Sequence, residues 1–182
     1  EVTAPNGMVL NDEIHSVELV YAGQVISVTE TETSFYNERQ HVEIDLVKSL
    51  ETDEHFGVGN NGEIFDVAFG LYAEKELTAA DGTVIPADGL ISEISLAENM
   101  SAKFDTALPF GKYYVQEIAT DEHYVLNGKK YLVNFEYMGQ EVTTVTVDCG
   151  EFKNALKRGK ISGKKVDENE KSLENALFGL FA

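Results

Sequence analysis

The chain has 182 residues, 43% of them hydrophobic, which is typical of a folded protein rather than a disordered segment. Its 32 acidic and 14 basic residues give a net charge of −18 at pH 7, which argues against nucleic acid or an anionic membrane as a partner. No apolar run approaches the roughly 18 residues of a membrane span. A single cysteine, Cys149, excludes an internal disulfide.

Taken in chain order, the sequence predicts β-strands throughout. Runs rich in Val, Ile, Tyr, Phe and Thr alternate with turn-forming clusters such as GVGNNG at 57–62, AADG at 79–82 and VLNG at 125–128. Short strands at this spacing are typical of a β-sandwich with Greek-key-type connections, so the predicted fold class is all-β. Only residues 96–103 have a pattern compatible with a short helix.

Residues 1–40 and 117–158 are two copies of one segment, and such repetition indicates an array of similar units. Equivalent positions lie 116 residues apart at first, and 117 apart after one inserted residue. The alignment then crosses a loop that is eight residues longer in the earlier copy, after which FGLYA at 69–73 meets FGLFA at 178–182. The equivalent positions include Glu1 with Glu117, Tyr21-x-Gly23-Gln24 with Tyr137-x-Gly139-Gln140, Asn37 with Asn154, and Lys48 with Lys165.

This register divides the chain into three parts. Residues 1–40 are expected to form the C-terminal half of one module, residues 41–158 a complete module, and residues 159–182 the first strands of a third. Neither junction contains a proline-rich or otherwise flexible linker. We therefore expect β-sandwich modules in tandem that form a stiff rod rather than flexibly linked beads.

Three polar side chains fall on the apolar faces of predicted strands. Side chains alternate between two faces along a strand, so Lys48 in VEIDLVKSL shares the face of the apolar residues at 42, 44 and 46. The same alternation directs Glu117 inward in YYVQEI and Asn154 inward in EFKNAL. Burying one such group alone is costly, so we expect them to be paired. A Lys–Glu ion pair with an asparagine hydrogen bond would satisfy this pattern. The pattern would also arise if the inward and outward positions were assigned one residue out of step at a strand end.

The same three residues can also form a covalent bond. Desolvation disfavours the charged form of a lysine, and an uncharged amine is a nucleophile. Attack of the Lys48 amine on the Asn154 carboxamide would release ammonia and leave an isopeptide bond. Glu117 would donate a hydrogen bond to the carboxamide oxygen and shuttle protons between the amine and the departing group. This reaction occurs once per module, so it is maturation rather than enzymatic turnover.

The segments KVDENEKSLENALFGLFA, YYVQEIATDEHYVLNGKKYLV and EVTAPNGMVLN resemble SpaA-type, or collagen-adhesin B-type, modules. These are prealbumin-like β-sandwiches of Gram-positive pilins and adhesins. The family places its bond-forming Lys in the first strand, its Asn in the last, and its Glu in the strand before an A-P-x-G-Y-like turn. The resemblance therefore implies a Lys48–Asn154 bond with Glu117 as the proton shuttle. The equivalents in the two incomplete modules are Glu1, Asn37 and Lys165.

Other candidate chemistry is weaker. The four histidines are scattered without ligand spacing, and the acidic loops lack the regular spacing of a calcium loop, so no metal or other cofactor is predicted. Cys149 lies beside Gly150, and no patterned histidine accompanies it, so we expect a free thiol rather than a nucleophile. The histidines are His15, His41, His55 and His123.

The predicted function is that of a structural spacer in an extracellular adhesin or pilin-like protein of the cell wall, not that of an enzyme. Its expected partners are neighbouring modules and, secondarily, a host matrix protein or glycan, with no nucleic acid and no membrane insertion. One alternative is a ligand-binding adhesin module that uses its loops, chiefly an insertion at 77–109. Another is an accessory domain of a secreted enzyme, although nothing places two carboxylates at a common cleft.

Overall fold

The all-β prediction is confirmed by the computed structural model, which describes residues 1–26, 30–79 and 81–179. The end of the predicted FGLFA match, residues 180–182, lies outside the described residues. A short 3-10 helix spans Glu63–Asp66. The strands are β1 (His41–Leu50), β2 (Ala68–Ala73), β3 (Leu77–Thr78), β4 (Val84–Ile85), β5 (Leu90–Ser95), β6 (Ser101–Thr106), β7 (Gly111–Ala119), β8 (Tyr131–Phe135) and β9 (Thr144–Asn154).

Two sheets and a small hairpin contain these strands. One sheet has the order β6-β1-β9, the other has the order β5-β2-β7-β8, and β3 pairs with β4. Neighbouring strands are antiparallel except β1 and β9, the first and last of the module, which run parallel. The β1–β9 register shifts between Asp45 and Val47, and beyond this irregularity Lys48 lies opposite Phe152.

The core lies between the inner faces of the two sheets, and β1 illustrates why. Val42, Ile44 and Leu46 are at most 1% exposed, whereas Glu43 and Asp45 between them are partly exposed. Such alternation buries one face of a strand and removes roughly 25 cal/mol of unfavourable apolar hydration per Å² covered. Across the core, the ring of Phe152 on β9 meets the ring of Phe69 on β2 edge-on, with centroids 4.9 Å apart.

Two expectations about the middle of the chain are wrong. Residues 96–103 form a turn and the start of β6 instead of a helix, since Met100 has a positive φ of 62° and Ser101 begins pairing with β1. The supposed insertion at 77–109 contains β5 and β6, which are strands of the two main sheets. The region is therefore a series of strands joined by turns rather than one long loop.

The segments outside the sandwich contain isolated bridges rather than strands within the described residues. In the N-terminal segment Met8 bridges Arg39, and in the C-terminal segment Val166 bridges Ser172. Just after the end of β9, Leu156 forms an antiparallel bridge with Tyr124. In the part of the chain that the structure describes, the nine strands thus lie within residues 41–154.

Candidate cross-linking site

Three strands bring Lys48, Glu117 and Asn154 together inside the sandwich. Lys48 and Asn154 lie near the ends of the parallel neighbours β1 and β9, and Glu117 projects from β7 in the opposite sheet. Each of the three is 1% exposed. The inward direction that strand alternation predicts is therefore the one that the structure shows for all three.

The Lys48 amine lies against the Asn154 carboxamide. Its Nζ donates to Asn154 Oδ1 at 2.6 Å and to the Phe152 carbonyl oxygen at 3.0 Å. The Glu117 Oε1 atom lies 3.4 Å from Lys48 Nζ and accepts a hydrogen bond of 2.8 Å from Asn154 Nδ2. One carboxyl oxygen thus reaches both the amine and the amide nitrogen.

The contact between Glu117 and Asn154 differs from the expected one. The sequence predicts that Glu117 donates to the carboxamide oxygen of Asn154, but that oxygen accepts from Lys48. The Nδ2 group, which can only donate, faces Glu117 instead. Glu117 therefore lies beside the nitrogen that would depart in a condensation, where a proton is needed.

Burial changes the protonation of the lysine. Desolvation lowers the pKa of Lys48 from its ordinary value, and the negative charge of Glu117 and its hydrogen bond partly oppose this effect. A lowered pKa increases the fraction of uncharged amine at a given pH, and only the uncharged amine has the lone pair for nucleophilic attack.

An aromatic pair lies beside the lysine in the β1–β9 register. Phe152, whose carbonyl oxygen accepts from Lys48, stacks on the ring of Tyr131 with centroids 3.7 Å apart. Because Lys48, Glu117 and Asn154 are each 1% exposed, the site excludes water, which would otherwise solvate the amine and compete as a nucleophile.

Two residues at the site were missed by the sequence analysis. The Thr120 hydroxyl oxygen accepts a hydrogen bond of 3.0 Å from Asn154 Nδ2, so both N–H groups of the carboxamide are engaged. The backbone N–H of Asn127 donates to Glu117 Oε2 at 2.6 Å and fixes the second carboxyl oxygen. The equivalent of Thr120 in the first copy is Ala4, so the repeat gives no signal for it.

The N-terminal segment reproduces half of this arrangement. Asn37 Nδ2 donates to Glu1 Oε2 at 2.5 Å, and the backbone N–H of Asn11 donates to the same carboxyl at 3.1 Å. These contacts parallel those of Glu117 with Asn154 and Asn127, ten residues apart in each copy. Lys165 is exposed, and within the described residues its side chain makes no hydrogen bond or ion pair.

The remaining candidate residues are peripheral to the site. Among residues 1–26, 30–79 and 81–179, no three His, Cys, Asp or Glu side chains are grouped to hold a metal ion. Cys149 is a free, partly buried thiol packed against the core. Burial, followed by the charges of Asp148 and Asp45, raises the pKa of Cys149 to about 11.

The family of the chain follows from comparison with known proteins. The family model of the SpaA prealbumin-like fold domain matches residues 36–149, which is more than half of the chain. The chain therefore belongs to the SpaA family of prealbumin-like domains. No curated protein matches it.

Several solved structures of Gram-positive proteins are similar to the chain. The Bacillus anthracis TIE protein is 21% identical, with 85% of this chain and 24% of that chain covered and a TM-score of 0.44. The Streptococcus agalactiae minor pilin GBS52 is 18% identical, with 71% and 51% covered and a TM-score of 0.42. The Corynebacterium diphtheriae major pilin SpaA is 18% identical, with 63% and 30% covered and a TM-score of 0.38. The chain thus spans a quarter to a half of the length of these proteins.

No helix within the described part of the chain has both the length and the apolar character needed to cross a membrane.

Proposed function

We propose that the chain is a structural module of a Gram-positive cell-surface protein, made rigid by a Lys48–Asn154 isopeptide bond that forms without an enzyme. The carrying observation is the 2.6 Å contact between the Lys48 amine and the Asn154 carboxamide in a site with almost no solvent exposure. A buried lysine in contact with a carboxamide and a carboxyl is costly as a stability device alone. A covalent reaction of Lys48 would explain why such a group is buried here.

The proposed reaction forms one bond and breaks one. The Lys48 Nζ lone pair attacks Asn154 Cγ, and collapse of the tetrahedral intermediate breaks the Cγ–Nδ2 bond. Ammonia departs with the two carboxamide hydrogens and one proton that originates on the amine. Because Glu117 Oε1 touches both nitrogens, it takes the proton from one and gives it to the other, and it ends with the proton count it began with.

The neighbours of the carboxamide hold it in a reactive orientation. Thr120 and Glu117 accept the two N–H groups of Asn154, which fixes the rotation of the carboxamide so that its carbonyl faces Lys48. Such pre-orientation converts a slow bimolecular amide exchange into an intramolecular step. Each molecule reacts once, so the chain is the substrate of its own cross-linking and does not turn over.

Intact mass of the full chain tests this proposal. Condensation lowers the mass by about 17 Da, the mass of the ammonia lost in the nucleophilic step. The Glu117→Gln and Asn154→Ala variants should have their full sequence masses. Glu51→Gln is a matched control, because Glu51 follows the last residue of β1 but binds Arg158 at the surface. The mass of this variant should still fall.

Two outcomes would contradict the proposal. A folded wild-type chain with its full sequence mass would show that the bond does not form. A loss of about 17 Da that persists in Lys48→Met would show that the ammonia comes from cyclisation of an asparagine elsewhere. Fragmentation of a proteolytic digest should join the peptides that contain Lys48 and Asn154.

The array and the location of the protein are part of the same proposal. The repeat between residues 1–40 and 117–158 supports a longer chain of such modules. The Glu1–Asn37 contact supports a second site in which an asparagine could react with the lysine of its own module. A cross-link that needs no oxidising environment suits an extracellular protein with one cysteine. Neighbouring modules are the expected partners.

A further inference from the structure

The two Tyr-x-Gly-Gln copies fold into the same turn. Gly23 and Gly139 both have positive φ angles, 109° and 97°. In each copy the amide three residues after the glycine donates to the glycine carbonyl at 3.3 Å. A positive φ disfavours any residue with a Cβ, so the shared glycine specifies this turn in both copies.

The second copy, residues 137–142, holds the N-terminal segment of the chain. The Ala4 N–H donates to Gln140 Oε1 at 2.9 Å, and the Leu10 N–H donates to the Gln140 carbonyl oxygen at 2.8 Å. The Tyr137 hydroxyl donates to the Met8 carbonyl oxygen at 3.4 Å. Ala4 is only 8% exposed, so the segment is seated on the turn.

Gln40, the residue before β1, holds the turn at 137–142 through its side chain. Its side-chain N–H₂ donates to the carbonyl oxygens of Gly139 at 3.1 Å and Val142 at 2.6 Å, and its Oε1 accepts from the Met138 N–H at 3.0 Å. Its own backbone N–H donates to the Gly7 carbonyl oxygen at 3.4 Å. Gln40 is 3% exposed, so these contacts are shielded from competing water.

The first copy has the same turn but an exposed surface. Tyr21 is 77% and Val25 is 94% exposed, and within the described residues the Gln24 side chain makes no hydrogen bond. We propose that residues 137–142 form a socket that seats the end of the preceding module, and that residues 21–26 present the same socket to residues equivalent to 4–10 of another module. The partner is a segment with an Ala-Pro-x-Gly-type turn that offers backbone N–H groups. This inference does not depend on the isopeptide bond.

Hydrogen exchange on the full chain tests the occupied socket. Gln140→Ala should raise the exchange rates of the Ala4 and Leu10 amides roughly tenfold, the effect of losing about one hydrogen bond that holds the segment closed. The Lys48 amide, which donates to the Met100 carbonyl oxygen within the sandwich, should keep its rate. Gln24→Ala is the matched control and should change neither. Unchanged Ala4 and Leu10 rates, or acceleration spread through the sandwich, would overturn the socket.

A peptide titration tests the exposed copy. The peptide TAPNGMVLN, which corresponds to residues 3–11, is added at millimolar concentration to the isotopically labelled full chain. We expect amide shifts at residues 21–26 that weaken in Gln24→Ala. Absence of shifts there, or shifts confined to residues 137–142 through displacement of the chain's own segment, would overturn the second socket.

Discussion

Lys48 donates a hydrogen bond of 2.6 Å to the Asn154 carboxamide oxygen, although the two residues are 106 positions apart in the chain. The register of β1 against β9 explains this contact, since Leu50 pairs with Asn154 and Lys48 lies two residues earlier. An amide between the two side chains would tie the first strand of the module to the last.

Removal of the acceptor should lower stability strongly. A cross-link that closes a loop of about 100 residues lowers the entropy of the unfolded chain by an amount worth roughly 4–5 kcal/mol. Asn154→Ala abolishes the bond, so its free energy of unfolding in urea should fall by at least about 4 kcal/mol. Asn37→Ala removes the equivalent asparagine outside the sandwich and should leave the main unfolding transition in place. Equal transitions for Asn154→Ala and the wild type would contradict the cross-link.

The hydroxyl of Thr120 should control the rate of bond formation. Thr120→Val keeps the side-chain shape but leaves one Asn154 N–H without its acceptor, so we expect the mass loss to proceed roughly tenfold more slowly. Thr120→Ser keeps the hydroxyl and should react at close to the wild-type rate. The fraction of condensed molecules is followed by mass against time after rapid purification. If Val and Ser variants react alike, the hydroxyl has no role.

Cys149 should be a poor nucleophile in the folded chain. Because burial raises its pKa to about 11, its thiolate fraction at pH 8 is about a hundredfold lower than that of a thiol with the ordinary pKa of 9.0. Alkylation by iodoacetamide at pH 8 should therefore be slower by roughly that factor than in the urea-unfolded chain. Similar rates in the two states would show that the thiol is not protected.

The Glu51–Arg158 pair should contribute to stability in a pH-dependent way. Glu51 accepts two hydrogen bonds from Arg158 and one from the Leu156 N–H, and together these lower the pKa of Glu51 from 4.5 to about 2. When the pH falls below the ordinary pKa of Glu51, this carboxyl binds a proton more readily in the unfolded chain than in the folded chain. The stabilisation is therefore complete above about pH 4.5 and is lost as the pH falls towards 2.

Thermal denaturation across pH checks this behaviour. Glu51→Gln should lower the midpoint at pH 7, and its difference from the wild type should shrink between pH 4.5 and 2. Glu54→Gln, at an exposed position three residues along, is the control and should be close to the wild type at every pH. A Glu51→Gln difference that does not vary with pH would contradict the role of the ionised carboxyl.

Strand alternation located the site because its cause is local. A strand with one buried face shows that face directly in the sequence, so the inward directions of Lys48, Glu117 and Asn154 follow from their immediate neighbours. The repeat then showed that the three residue types recur in the same order. The family resemblance added the chemistry that would connect them.

Contacts between distant segments could not be found in this way. Thr120 lies just after β7 and meets Asn154 only because the ends of β7 and β9 converge in space. The strands β3 and β4 have two residues each, too few to show alternation. Residues 96–103 do not form the predicted helix, because β6 pairs with β1 and this tertiary packing outweighs a weak local preference.

The parallel pairing of β1 and β9 also decides how the module would carry tension. Since both strands run in the same direction, the chain enters the sandwich at His41 and leaves it at Asn154 at opposite ends of the sheet. With the amide closed, a pulling force passes along β1 to Lys48 and crosses directly to Asn154. The segment between them, which would add roughly 350 Å if drawn out fully, bears no load. Such a module would transmit force like an inextensible link, and the sequences of its remaining strands could vary without weakening that link.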